Sequence, residues 1–238
     1  METKLKSNLK QIHWSLVIKA TVTGLAWLFL PWGIAAALAA VFYFFPPFRA
    51  ALFGGHFIAF LSVSWFFHPV GGFFLALILS ATFFMMLGIK DMLFITRKDL
   101  MPILTWTLVF FLLGGAARHA DALALWSGGI MGTALTHGAL FLLLLGFFRF
   151  RFPAFPLTQC VAFSGLVSLL SFELSLGLQF LAIGPWVRVG ALFFFVFIIA
   201  EWVHAHFRGR LSREAILRSV FIFSAVMVFV LGLTEWMP

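Results

Sequence analysis

Glu173 and His137 are the two residues of this sequence whose chemistry fits their surroundings least, since both are ionisable and both sit inside long apolar runs. An ionisable group in hydrocarbon is costly, and ordinarily faces a bundle interior, a cavity or a partner. The carboxyl at Glu173 could carry a proton or hold a cation; equally, it could be a neutral acid bonded to a neighbouring helix. His137 could relay a proton, or be a neutral imidazole bonded across a helix contact. These two are the candidate polar site.

Three other residues stand behind them. Glu201 and His204 lie at i and i+3, the spacing by which di-iron helix bundles present ligands. Such bundles need two of these motifs and two further carboxylates, and the chain offers one motif, so solvation at the membrane interface is the simpler reading. His56 could be matched with His137 as an axial pair for haem, but nothing in their spacing fixes equal depths. No metal site and no cofactor is expected. The one cysteine, Cys160, can form neither an intrachain disulfide nor a four-cysteine metal site. Residues 215 to 236 hold no lysine for a retinal Schiff base. Phe163-Ser164-Gly165 places a serine beside glycine without a recognisable histidine motif on a later run.

What must position these residues follows from composition. The chain is 63% hydrophobic and 10% charged, with a mean hydropathy of +1.10, whereas soluble domains are roughly 45–50% apolar and about a quarter charged. Thirty-four phenylalanines against one tyrosine agree, because a phenyl ring is at ease among acyl chains and a buried phenol needs a hydrogen-bond partner. The fold class is therefore all-α, a polytopic transmembrane helix bundle, since backbone groups in lipid must be satisfied within each span. Residues 1–238 read as a single integral membrane domain, of which residues 1–11 are a short basic cytoplasmic N-terminal segment.

Breaks at prolines, glycines and charge clusters predict helices at about 12–30, 32–46, 50–67, 70–95, 100–117, 122–148, 157–183, 186–207 and 215–236. Residues 12–46 admit two readings: one helix kinked at Pro31, giving eight spans, or two helices, giving nine. With two, fourteen of the sixteen Lys and Arg residues fall on one side of the membrane and only Arg118 and Arg188 on the other. The positive-inside rule expects that asymmetry, so nine spans with a cytoplasmic N-terminus is the preferred topology, in a plasma membrane of bacterial type. Tryptophans near the span ends fit the same scheme. The net charge of +8 belongs to these short clusters, and no nucleic-acid partner is expected; the bilayer and other membrane proteins are. A cleavable leader ending near Ala35–Ala40 would leave one crossing in place of two and spoil the charge asymmetry.

The sixth and seventh spans carry most of the buried polarity. Gly129, Thr133 and His137 share one stripe and Gly128, Gly132 and Thr136 the next, a pattern that predicts close helix contact through the glycines. Cys160, Ser164, Ser168, Ser171 and Ser175 line one side of the seventh span while Glu173 and Gly177 lie nearly opposite, which predicts a central helix with no face toward lipid. By rise along the helices His137 lies about 9 Å nearer the cytoplasm than Glu173, too far for a direct pair without tilt or water. The functional expectation is movement of a small solute or proton through a polar interior of spans six and seven. The alternatives are a scaffold or assembly subunit of a membrane complex, and a membrane enzyme acting on a lipid-soluble substrate near Glu201 and His204.

Overall fold

Most helix ends fall where proline, glycine or charge interrupts the apolar pattern, though Pro102 lies inside a helix. The computed structural model describes residues 14–45, 50–68, 72–91, 97–122, 128–181 and 183–232. Among them are nine helices and no strand: α1 (Trp14–Phe29), α2 (Trp32–Phe44), α3 (Gly54–Phe67), α4 (Gly72–Lys90), α5 (Arg97–Ala122), α6 (Gly128–Arg151), α7 (Leu157–Gln179), α8 (Pro185–Phe207) and α9 (Arg213–Gly232). The basic segment 1–11 lies outside the described residues. Five stretches are long and apolar enough to cross a membrane: Gly72–Lys90, Asp99–Ala117, Gly132–Arg151, Leu157–Gln179 and Pro185–Phe207. α1, α2 and α3 are apolar but shorter.

Within residues 14–45 there are two helices, not one kinked helix. Pro31, extended at φ −53° and ψ 141°, precedes α2, and proline cannot donate to the preceding turn. The pair folds back on itself: Lys19 Nζ, near the start of α1, donates to the carbonyl of Phe45, just beyond α2, at 2.8 Å. The reversal repeats at the next connection, where the Tyr43 hydroxyl donates to Ala50 O at 2.8 Å and its ring stacks on Phe57 at 4.2 Å. At the opposite end Trp27 Nε1 donates to Ser64 O and Trp32 Nε1 to Ser64 Oγ. Trp27 is thus buried, its indole satisfied by α3 and not by headgroups as its place near a span end predicts. The α8–α9 turn uses Gly209 at φ +64°, with Arg210 N–H reaching back to Ala205 O; only a residue tolerant of the left-handed region closes a helix in this way.

The sequence reading makes α7 central, but the structure gives that place to α3 and α5, the latter packed against α3, α4, α6 and α8. α3 packs against α2, α4, α5 and α6, and its His56, Phe57, Ala59, Phe60, Val63 and Phe66 are buried. α7 touches α6 and α8 only, among contacts of any extent. It buries its serine side and exposes Leu166, Leu169, Glu173 and Gly177. The reason is shape. Gly55 brings α3 onto the backbone of α6 at Leu142, and Gly115 seats the Phe66 ring against α5, whereas a polar stripe and an acid on opposite sides of one helix say nothing about which side finds a partner.

Of the glycine contact predicted on α6, Gly132 makes none, while the surroundings of Gly128 and Gly129 lie outside the described residues. A Cβ at Gly132 would meet nothing within 4 Å, while one at Gly146 would press on the His56 ring at 3.1 Å. The other side of the stripe does pack, with Thr133, Thr136 and His137 all buried.

Candidate functional site

α6 supplies the first side chains of the site and α7 closes over them. Thr136 Oγ1 bonds back to Gly132 O, and His137 sits one position further along, 4% exposed. Its Nδ1 lies 2.8 Å from Thr133 O. A carbonyl can only accept, so Nδ1 carries the proton, and Nε2 presents a lone pair that is buried and has no hydrogen-bond partner among the described residues. A buried polar atom in that condition needs a reason. On the α7 side Ser168 Oγ donates to His137 O at 2.6 Å, and Phe172 covers the imidazole edge-on at 5.5 Å.

Beside His137, between α5, α6, α7 and α8, lies a cavity of ≈ 20 Å³ whose polar lining is Thr133, His137, Ser175, Gln179 and Arg188. Gln179 Nε2 contacts Thr133 Oγ1 at 3.4 Å, and Arg188 Nε donates to Ile183 O at 3.1 Å. One water needs about 10–15 Å³ of such space and two to four polar partners. The cavity therefore takes one water, or a solute no larger. Toward the basic end of α6 the packing turns apolar, with Leu140, Leu143 and Leu144 fully buried. The line of hydroxyls on α7 continues past them: Ser171 bonds Val167 O, and Ser164 Oγ is buried without a partner.

Glu173 does not join this group. It is on the exposed face of α7, away from the serines that face α6, so the two leading candidates are not brought together. His56 is fully buried and bonds Thr105 Oγ1 at 3.1 Å. Thr105 gives its own hydroxyl proton to Met101 O, which makes His56 Nε2 the donor and leaves Nδ1 against Gly146. This is a wedge between helices. His56 packs on Gly146, nine residues beyond His137 on α6, about 13 Å along the axis, so the two imidazoles do not face each other across a haem. Glu201 and His204 do pair, with Oε2 3.5 Å from Nδ1, the carboxylate half-exposed and the imidazole against Phe152. Among the described residues no group of three or more His, Cys, Asp or Glu side chains converges as metal ligands would.

Sequence reasoning missed one charged cluster. Lys90, counted there only as a cytoplasmic cation, is fully buried; it pairs with Asp91 and sits 5.5 Å from the ring of Tyr43, the only tyrosine in the chain. The signal was present: a Lys-Asp step at the end of an apolar run, and a solitary phenol in a sequence that otherwise uses phenylalanine. The cluster gathers the ends of α2, α3 and α4.

A second hollow differs in kind. A groove of ≈ 650 Å³ opens sideways between α3 and α6, walled by Ile58, Trp65, Leu135 and Leu142 and floored by Ala134 and Gly138. The one hydroxyl there, on Ser62, is already bonded to Ile58 O.

No protein-family model, no curated protein and no solved structure matches this chain. The all-helical bundle with several apolar, membrane-length helices is that of an integral membrane protein; its chemistry has to be argued from its own geometry.

Proposed function

We propose that the protein moves protons within the membrane, with His137 as the group that takes up and releases them. Nine crossings would place the N-terminus in the cytoplasm and the cavity toward the opposite face, in a plasma membrane of bacterial type. The observation that carries the reading is the bare Nε2 of His137, buried beside a cavity of ≈ 20 Å³ with polar lining. That volume separates the two forms of the expectation: it suits a water and a proton, and is too small for a larger solute. The hydroxyls of Ser168, Ser171 and Ser164 supply polar groups on the way to the cytoplasmic end, about 4–6 Å apart along the helix, distances a water bridges. Glu173 has no part in this path, because it lies on the outside of α7.

The test is proton uptake into vesicles containing the purified protein and an entrapped pH dye, driven by a potassium diffusion potential. Uptake should exceed that of empty vesicles, and His137→Gln, which keeps a donor for Thr133 O but does not titrate, should abolish the excess. Wild-type vesicles no faster than empty ones, or a His137→Gln variant as fast as wild type, would overturn the proposal.

The assembly-subunit alternative has its own support in the sideways groove between α3 and α6, which is apolar and makes no demand for hydrogen bonds.

A further inference from the structure

Among residues whose exposure is described, Glu173 is the only exposed charged side chain in the half of the helices away from the basic ends; the other exposed charges, Asp99, Arg149, Glu201, Arg208, Arg210, Arg213, Glu214 and Arg218, are at or near the basic ends. It stands on a stripe of α7 made of Ala162, Leu166, Leu169, Glu173, Gly177 and Phe180, all exposed. The intervals of four, three, four, four and three residues are those of one helix face laid against another. The carboxylate is six residues short of the helix end at Gln179, about 9 Å along the axis. Helical side chains lean toward the N-terminus, and the N-terminus of α7 is its basic end, so this carboxyl leans deeper into the bilayer and not toward the nearer surface. Among the described residues no hydrogen bond or ion pair engages it. Gly177, one turn beyond, leaves a notch where a Cβ would meet nothing within 4 Å.

A lone carboxylate on an otherwise apolar, lipid-facing stripe is a large free-energy cost unless something covers it. We infer that the Glu173 stripe of α7 is the docking face for a transmembrane helix of another protein, one that carries a single lysine or arginine at the depth of Glu173 and packs into the notch at Gly177. Charge complementarity selects this occupant over a second copy of the chain. Among residues whose exposure is described, no exposed cation lies at that depth; Arg188, toward the same end, lines the internal cavity and bonds Ile183 O. From its described residues a second copy could offer Glu173 only another carboxyl.

The inference is independent of the His137 reading and is tested apart from it. The full-length protein, labelled with a donor fluorophore in phosphatidylcholine vesicles, is titrated with an acceptor-labelled, tryptophan-anchored Leu/Ala transmembrane peptide bearing one lysine at the matching depth, and with the same peptide bearing leucine there. The lysine peptide should associate about tenfold more tightly, and Glu173→Gln should remove most of that preference. Because Glu173 is exposed and unbonded, the variant should keep wild-type thermal stability, and proton uptake should be unaltered. Equal association of the two peptides, or a lysine preference that survives in Glu173→Gln, would overturn the inference. So would energy transfer between copies of the chain that Glu173→Gln abolishes while neither peptide binds, which would assign the stripe to a second copy.

Discussion

Replacing Gly55 with alanine adds a single methyl group at the point where α3 meets α6. The new Cβ would overlap the Leu142 carbonyl oxygen, and would lie 2.5 Å from its carbonyl carbon and 3.1 Å from Leu143 N. Non-bonded carbons rest at about 3.5–4.0 Å, so one backbone must withdraw by about 1 Å. Backbone cannot rotate away as a side-chain tip can, and the gap opens along the whole contact; a separation of about 0.5–1 Å forfeits a quarter to a half of the dispersion energy of each atom pair. Overpacking of this kind costs about 1–3 kcal/mol. The control is Gly132→Ala on α6, where nothing lies within 4 Å and the change should be neutral or stabilising by up to about 1 kcal/mol through helix propensity. In detergent, at about 2–4 °C per kcal/mol for a chain of this size, Gly55→Ala should unfold about 2–12 °C below wild type and Gly132→Ala at or above it. The readout is intrinsic fluorescence during a thermal scan at one fixed rate, because unfolding of such proteins is commonly irreversible. A Gly55→Ala protein as stable as wild type, beside a destabilised Gly132→Ala, would refute the packing argument and restore the glycine contact to α6.

Two further outcomes are expected. Lys90→Met leaves the Asp91 carboxylate buried without its cation and should cost about 3–5 kcal/mol, whereas Lys90→Met with Asp91→Leu should recover most of the loss; thermal scans of both single variants and the double variant measure the coupling, and additive effects would show that the pair does not hold the ends of α2, α3 and α4. A reporter active only outside the cytoplasm, fused after Pro238, should be active, as nine crossings and the fourteen-to-two charge asymmetry require; activity of a cytoplasmic reporter there instead would remove the two-crossing reading of residues 12–46.

The sequence by itself determined where the helices are. Their limits are local matters: a proline that cannot donate, a glycine that closes a turn, a pair of arginines that must leave hydrocarbon. The break at Pro31, the end at Phe67, the start at Leu157 and the end at Phe207 could all be read without knowing what packs on what, whereas the ends at Lys90 and Arg151 fall a few residues from where the sequence puts them. The burial of His137 was legible too, from an imidazole set among small and polar residues on a helix otherwise apolar.

Only the tertiary structure decided which side of each helix faces inward. In a soluble protein the polar side marks itself, but here most helices are apolar all round, and lipid is as apolar as leucine, so burial leaves little polarity signal. What separates the sides is whether surfaces fit over contacts distant in sequence. Gly55 meets Leu142, and Gly146 meets His56, while Gly132 meets nothing. For the same reason α3, short and with little charge, lies inside the bundle against four other helices. Ser168 and Glu173, five residues apart on one helix, parted company: Ser168 bonds His137 across a packed contact, and Glu173 is left on the exposed face of α7.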